Sequence, residues 1–176
     1  SFVWSNLSTA EKTAMSNVST VLDYIRGDTT LEKRNPGGIY RNRGKILGDL
    51  VNSSPELVEA PYDLSYHRYN WTGASSYRSF IEGAAKTRTP MLYVGGNDGM
   101  LRAVNGNRTD AIAVGASTYA AGSEIWSFVP PEFYGRIKRL YENTQGILYP
   151  DRPLAATAAP KDYGMDGPMT AFQGVV

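Results

Sequence analysis

The sequence predicts a mainly β fold with flanking helices, and three observations carry that prediction. Met91-Leu92-Tyr93-Val94-Gly95 is a β-rich run followed by Gly96-Asn97-Asp98-Gly99, a strong hairpin turn, and by a return strand, Met100-Leu101-Arg102-Ala103-Val104. Glu124-Ile125-Trp126-Ser127-Phe128-Val129 alternates apolar and polar positions as a third strand does. Helical periodicity stands at the beginning of the chain and again after Pro130-Pro131.

The first element is read as a lead-in helix over residues 1–28. Ser8 or Thr9 can cap it, and Ser8-Thr9-Ala10-Glu11 fits the capping-box pattern. Ala14, Val18, Val21, Leu22 and Ile25 form one apolar stripe, and Gly27 stands where a helix stops. Residues 29–45 are polar and basic, with Asn35-Pro36-Gly37-Gly38 as a turn. Ile46 to Val51 is expected as a short apolar strand, closed by Asn52-Ser53-Ser54-Pro55. The aromatic-rich stretch 61–80 reads mostly as loop, with a short helix near Ser75 to Ala85. Asn105 to Gly122 is an insert rich in Ala, Gly, Ser and Thr. In the second helix Phe133, Ile137, Leu140 and Tyr141 form the apolar stripe, and Gly146 lies beyond its end. The final residues, Met169 to Val176, look like a strand beginning, so the chain is expected to be truncated at its C-terminus.

Composition narrows the function. The 176 residues carry 18 Lys+Arg against 17 Asp+Glu, a net charge of +1, without the basic excess of a general nucleic-acid binder. With no cysteine, disulfides, thiolate metal sites and cysteine nucleophiles are excluded. A single histidine, His67, excludes paired-histidine metal motifs within the chain and argues against a Ser-His-Asp triad. No apolar run approaches the roughly 18 residues of a membrane span.

Residues 91–126 resemble one blade of a quinoprotein-like β-propeller, in which an inner strand turns at Asp-Gly and Gly-x-x-x-Trp opens the outer strand. On that reading Trp126 wedges between neighbouring blades and buries about 200 Å². Blades take roughly 40–50 residues, so the chain holds about four at most and is a fragment of a larger ring. Residues 29–176 are then the first blades of a propeller domain. Several blocks narrow the resemblance: Leu47-Gly48-Asp49-Leu50-Val51-Asn52-Ser53-Ser54-Pro55, Gly95-Gly96-Asn97-Asp98-Gly99-Met100-Leu101 and Tyr163-Gly164-Met165-Asp166-Gly167-Pro168. In this order they are similar to the opening part of the C-terminal propeller of the PilC/PilY family, adhesins and assembly factors of type IV pilus tips. The resemblance implies pilus biogenesis, surface adhesion, a part in virulence, and a non-catalytic role. It implies minor pilins of the tip complex and a host-cell receptor as partners. It places the protein on the bacterial surface at the pilus tip or outer membrane, reached through the periplasm. It also implies calcium. No Asp-x-Asp/Asn-x-Asp/Asn run is present, so no metal ligand is assigned here and the calcium ligands are expected outside residues 1–176. A quinoprotein-like oxidoreductase and a purely structural outer-membrane scaffold are the alternatives.

The candidate residues each have two readings. Arg26-Gly27-Asp28 spells an integrin-binding tripeptide, and it also spells a helix end capped by Gly27. Asn97, Asp98 and Gly99 are read as turn chemistry rather than as ligands. Asp49 and Asn52 are expected to bond turn backbone, with Arg41 or Arg43 as a salt-bridge partner for Asp49. The basic run Lys33 to Lys45 is a solvated loop or a docking patch for an acidic partner. His67 is read as a loop residue.

Overall fold

The computed structural model describes residues 3–151 and 156–172. The chain forms two compact units: Ser1–Val51, Gly96–Met100 and Val129–Asp166 make the first, and Asn52–Gly95, Leu101–Phe128 and Gly167–Val176 the second.

In the first unit, helix α1 (Thr9–Ala14) begins at a reciprocal cap. Ser8 Oγ accepts from the Glu11 N–H at 3.3 Å, and the Ser8 N–H donates to Glu11 Oε2 at 2.7 Å. The expected long helix does not continue. Ser16 and Asn17 take left-handed φ of 60° and 58°, and a separate helix α2 follows at Val21–Ile25. The run Ser16-Asn17-Val18-Ser19-Thr20 explains the break. Its short polar side chains compete for backbone bonds, and Asn tolerates the left-handed conformation that ends α1. The buried set changes accordingly, with Met15 and Tyr24 inside and Ala14 exposed. Gly27, at φ 112°, ends α2 as expected.

One core joins Met15, Val21, Leu22, Tyr24, Ile25 and Tyr40 to Met100, Val129, Ile137 and Tyr141. The last two come from helix α4 (Tyr134–Glu142), which follows a 3-10 turn at Pro131–Phe133 and ends on Asn143 at φ 50°. Tyr40 lies at the centre. Its ring is tilted against Tyr24 at 4.7 Å and meets Tyr141 edge-on at 5.3 Å, offset geometries that suit the aromatic quadrupole. The expected strand at Ile46–Val51 is absent. Ile46, Leu47 and Val51 are exposed, and the N–H groups of Gly48 and Val51 go to the carboxylates of Asp98 and Asp166 at 3.0 and 3.3 Å. With its donors taken by side chains, the segment has no ladder to join.

In the second unit, four antiparallel strands run in the order β1-β2-β3-β6: β1 (Glu56–Val58), β2 (Met91–Gly95), β3 (Leu101–Asn105) and β6 (Glu124–Phe128). β2 and β3 pair from Met91↔Asn105 to Gly95↔Leu101, and a bulge shifts the β3–β6 register between Ala103 and Val104. β1 sits just after Pro55, where no strand was expected. The insert is not featureless. It holds a two-stranded ribbon, β4 (Ile112–Val114) and β5 (Ser117–Tyr119). Its base is clamped by Asn105, only 1 % exposed. The Asn105 amide donates to Asp110 O at 2.9 Å and Tyr119 O at 3.1 Å, and its side-chain oxygen accepts from the Asn107 N–H at 3.0 Å. Helix α3 (Ala74–Glu82) overlaps the short helix expected near Ser75 to Ala85. Nearby, His67 sits in a 3-10 turn and stacks on Tyr77 at 6.2 Å, as befits a loop residue. Trp126 is 43 % exposed and touches Tyr93 at 5.9 Å. The strand expected from Met169 is absent through Phe172, and its remaining residues lie outside those described. Among the described residues the sheets are antiparallel and open rather than closed, as expected of a fragment of a β-propeller.

Candidate functional site

Three sequence blocks, joined through Asn97 and Asp98 side-chain hydrogen bonds that span 48 to 67 residues of chain, meet at the Gly96–Gly99 turn of the first unit. The Gly99 N–H donates to Gly96 O at 3.0 Å and the Gly96 N–H to Met100 O at 2.9 Å. Only Gly99, at φ 81°, takes positive φ. Asn97 and Asp98 therefore serve the turn through their side chains rather than through left-handed backbone. Asp98 accepts from the Gly48 N–H at 3.0 Å and the Met100 N–H at 3.2 Å. Asn97 accepts from the Gly164 N–H at 3.2 Å and donates to Asp49 Oδ2 at 3.2 Å, while its own N–H donates to Asp49 O at 3.0 Å. The Met165 N–H donates to Gly96 O at 3.1 Å.

Both flanking blocks need a missing side chain to come this close. A Cβ on Gly48 would lie 2.6 Å from Asp98 Cγ, and one on Gly164 would lie 2.6 Å from Gly99 N. Asp98→Ala is expected to leave two backbone donors without acceptors and to cost about 1–3 kcal/mol. Urea unfolding measures this, and Asp98→Asn, which keeps one acceptor oxygen, should lose less.

Lys161 completes the junction by pairing with Asp49. The Lys161 ammonium and the Asn97 amide hold the Asp49 carboxyl below its ordinary range despite partial burial, and the same carboxylate raises Lys161. Asp49 is more than half exposed, so this pair contributes little to stability. Neither arginine expected at Asp49 is bonded there. Arg43 turns to Glu32, and the buried Nε of Arg41 has no hydrogen-bond partner among the described residues. Asn52 is exposed and belongs to the second unit.

A cleft of about 190 Å³ opens beside the turn, lined by Arg41, Asp49, Asn97, Asp98, Arg139 and Lys161 among others. Arg139 donates to Pro160 O at 2.6 Å and to Asp162 at 3.0 Å. Among the described residues no group of three or more carboxylate or imidazole side chains gathers as a metal site. Asp49 and Asp98 approach one turn, but one faces an ammonium and the other faces N–H donors. That donor set does not fit calcium, which takes six to eight oxygen ligands.

The basic run resolves into an ion network that the sequence did not suggest. Glu32 is 0 % exposed. Its carboxylate accepts from Arg43 Nε at 2.8 Å and pairs with Arg34. Arg43 also donates to Tyr24 O at 2.7 Å and Asp28 O at 2.6 Å, with its guanidinium 3.7 Å from the Tyr24 ring centroid. The nearest signal was the acid immediately before the run, Glu32-Lys33-Arg34. The tripeptide Arg26-Gly27-Asp28 lies at the end of α2. Arg26 is exposed beside Asp23, whereas the Asp28 carboxylate accepts from the Thr30 N–H and hydroxyl, both at 2.6 Å. Those bonds hold the Asp28 carboxyl below its ordinary range.

Residues 47–130 match the PilY1 beta-propeller domain. The chain is 41 % identical over 139 residues to a type IV pilus biogenesis factor PilY1 homolog of Xylella fastidiosa (strain Temecula1), a match covering 78 % of this chain and 10 % of that protein. It is 34 % identical over 140 residues to type IV pilus biogenesis factor PilY1 of Pseudomonas aeruginosa (strain PAK), covering 77 % of this chain and 10 % of that protein. The chain therefore spans about a tenth of the length of these curated relatives. No solved structure matches it.

Proposed function

Since the chain belongs to the PilY1 family, we propose that it serves type IV pilus biogenesis as a non-catalytic stretch of propeller. The observation that carries this reading is the match of residues 47–130, which spans the four-stranded sheet up to β6 and its turn motif. The relatives' names speak for assembly rather than catalysis. The cleft's carboxylates point the same way, since each is bonded to backbone donors or a cation.

The mechanism in this reading is presentation. A rigid blade holds variable loops toward minor pilins of the tip complex or a host-cell receptor, at the bacterial surface or outer membrane. Loops on rigid scaffolds commonly carry recognition. Two segments of the second unit suit it. One is the β4–β5 ribbon, fixed at its base by Asn105. The other is the stretch with exposed Tyr62, Tyr66, Tyr69 and Trp71, side chains that give large contact area with few rotors. The exposed part of Trp126 is where we place the next blade. Any calcium belongs to other segments of the parent protein.

The experiment is a chromosomal replacement of residues 108–120 by a short Gly-Ser linker in a piliated bacterium carrying the gene. Deletion of the gene should abolish surface pili. The replacement should keep pili while attachment to host cells, or minor-pilin capture in a pulldown, falls at least tenfold. Pili present after gene deletion would defeat the biogenesis reading. Unchanged attachment and capture with the ribbon removed would defeat its part in presentation.

A further inference from the structure

Arg41 stands apart from the other cations around the Gly96–Gly99 turn. Its backbone is fixed on both sides, the N–H donating to Tyr141 O at 2.9 Å and the C=O accepting from the Tyr24 hydroxyl at 3.4 Å. Its Nε is buried and has no acceptor. Native structures satisfy nearly all such donors, with protein, water or ligand. Among the described residues, the carboxylates of Glu32, Asp49, Asp98 and Asp162 have other partners. Glu32 holds Arg34 and Arg43, Asp49 holds Lys161, Asp162 holds Arg139, and Asp98 holds two backbone N–H groups.

Arg41 also lines two clefts of the first unit, about 190 and 150 Å³, which share Asp49, Asn97, Asp98 and Leu140. A ligand in either cleft meets a guanidinium whose backbone is fixed and whose buried Nε has no acceptor. Exposed Asn143 and Gln145 line the larger cleft and offer further amide donors. The charge of the wall sets the ligand's charge. Arg41, Arg136, Arg139 and Lys161 face Asp49, Asp98 and Asp162, a small positive excess that accepts a single negative charge and opposes two.

We propose that Arg41 anchors a carboxylate-binding cleft, one that takes an acidic side chain, a peptide C-terminus or a small organic acid as a monoanion. The planar fork of arginine matches a carboxylate through two parallel hydrogen bonds. This goes beyond the pilus reading and stands without it.

The test uses the full-length parent protein and saturation-transfer NMR, with N-acetylglutamate amide as probe. Binding in the millimolar range is expected, displaced by acetate and not by an equal concentration of inorganic phosphate at pH 8. Arg41→Gln should weaken it at least tenfold. The same variant should unfold at the wild-type temperature or above, since it removes a donor that has no acceptor. Arg41→Lys, which keeps the charge without the fork, should fall between. An Ala-Glu-Ala peptide binding tenfold tighter than acetate would identify peptides as the source, and equal binding would identify a small acid. A saturation signal unchanged in Arg41→Gln, or phosphate competing as well as acetate, would overturn the proposal.

Discussion

Arg43→Ala is expected to destabilise the protein by about 3–5 kcal/mol, the usual consequence of removing one partner from a buried ion pair. The variant strands the Glu32 carboxylate, which is 0 % exposed and would keep only Arg34 and the backbone N–H of residue 43. It also removes the donor to Tyr24 O and Asp28 O and the cation over the Tyr24 ring. A loss of this size is a large share of the 5–15 kcal/mol that holds a typical domain together. Arg43→Lys should recover part of it, because one ammonium cannot reach all three acceptors in the planar arrangement a guanidinium uses. Replacing Glu32 and Arg43 together, by Leu and Met, should cost less than the sum of the single changes, since no buried charge is left alone. Urea unfolding of wild type, Arg43→Ala, Arg43→Lys, Glu32→Leu, Arg43→Met and the Glu32→Leu/Arg43→Met double variant decides this. A loss below about 1 kcal/mol in Arg43→Ala would mean that water reaches the carboxylate.

Acidity gives the same network a second readout. Burial raises the Glu32 pKa and the bonds from Arg43 and Arg34 lower it, and the arginines prevail. A carboxyl lowered in the folded state contributes stability that is complete above its unfolded value, here about 4.5, and is lost as pH falls through the folded value. In Arg43→Ala burial dominates instead, so protonation of Glu32 relieves the buried charge. The gap between wild type and variant should be widest near neutrality, should begin to narrow above about pH 4.5 as the variant's Glu32 takes up its proton, and should narrow further below it as wild type loses its own contribution. A gap constant from pH 7 to pH 3.5 would assign the loss to packing and not to charge.

What the sequence made legible was local. The Ser8–Glu11 cap, the end of α2 at Gly27, the hairpin at Gly96–Gly99 and the helix after Pro130-Pro131 each depend on residues within a few positions of one another. The break at Ser16–Asn17 was local as well, yet the apolar stripe running across it suggested continuity that two left-handed residues end. The ribbon β4–β5 has β-forming Ile112, Val114, Thr118 and Tyr119, but they stand among Ala, Gly and Ser that mask them, and its base is fixed by Asn105, whose burial no pattern announces. The network at Glu32 was illegible for a different reason. An acid beside basic residues reads as a solvated surface, and only the fold around Tyr24 and Tyr40 takes it out of water. Around the turn, the blocks at 47–55, 95–101 and 163–168 were visible as motifs, whereas their convergence was not. Spacing carries no information on which distant backbone a glycine is meant to admit.

Gly164→Ala is where that convergence should show its strength. The added methyl would lie 2.6 Å from Gly99 N, 2.8 Å from Gly96 O and 2.8 Å from Gly99 Cα. All three are backbone atoms of a turn already tied by its own hydrogen bonds, so no side chain can swing aside. The clash must displace the segment, and with it the Gly164 N–H bond to Asn97 and the Met165 N–H bond to Gly96 O. Overpacking typically costs 1–3 kcal/mol, and each lost bond adds to it, so a loss of about 3 kcal/mol is expected. Two controls separate sterics from glycine chemistry in general. Gly164 has no positive φ, so alanine is not strained there by conformation alone. Gly135, inside α4, has nothing within 4 Å of an added Cβ, and Gly135→Ala should be neutral or stabilising by up to about 1 kcal/mol from helix propensity. If Gly164→Ala unfolds at the same urea concentration as Gly135→Ala, residues 163–166 do not pack on the turn, and the junction would reduce to Gly48, Asp49 and the hairpin.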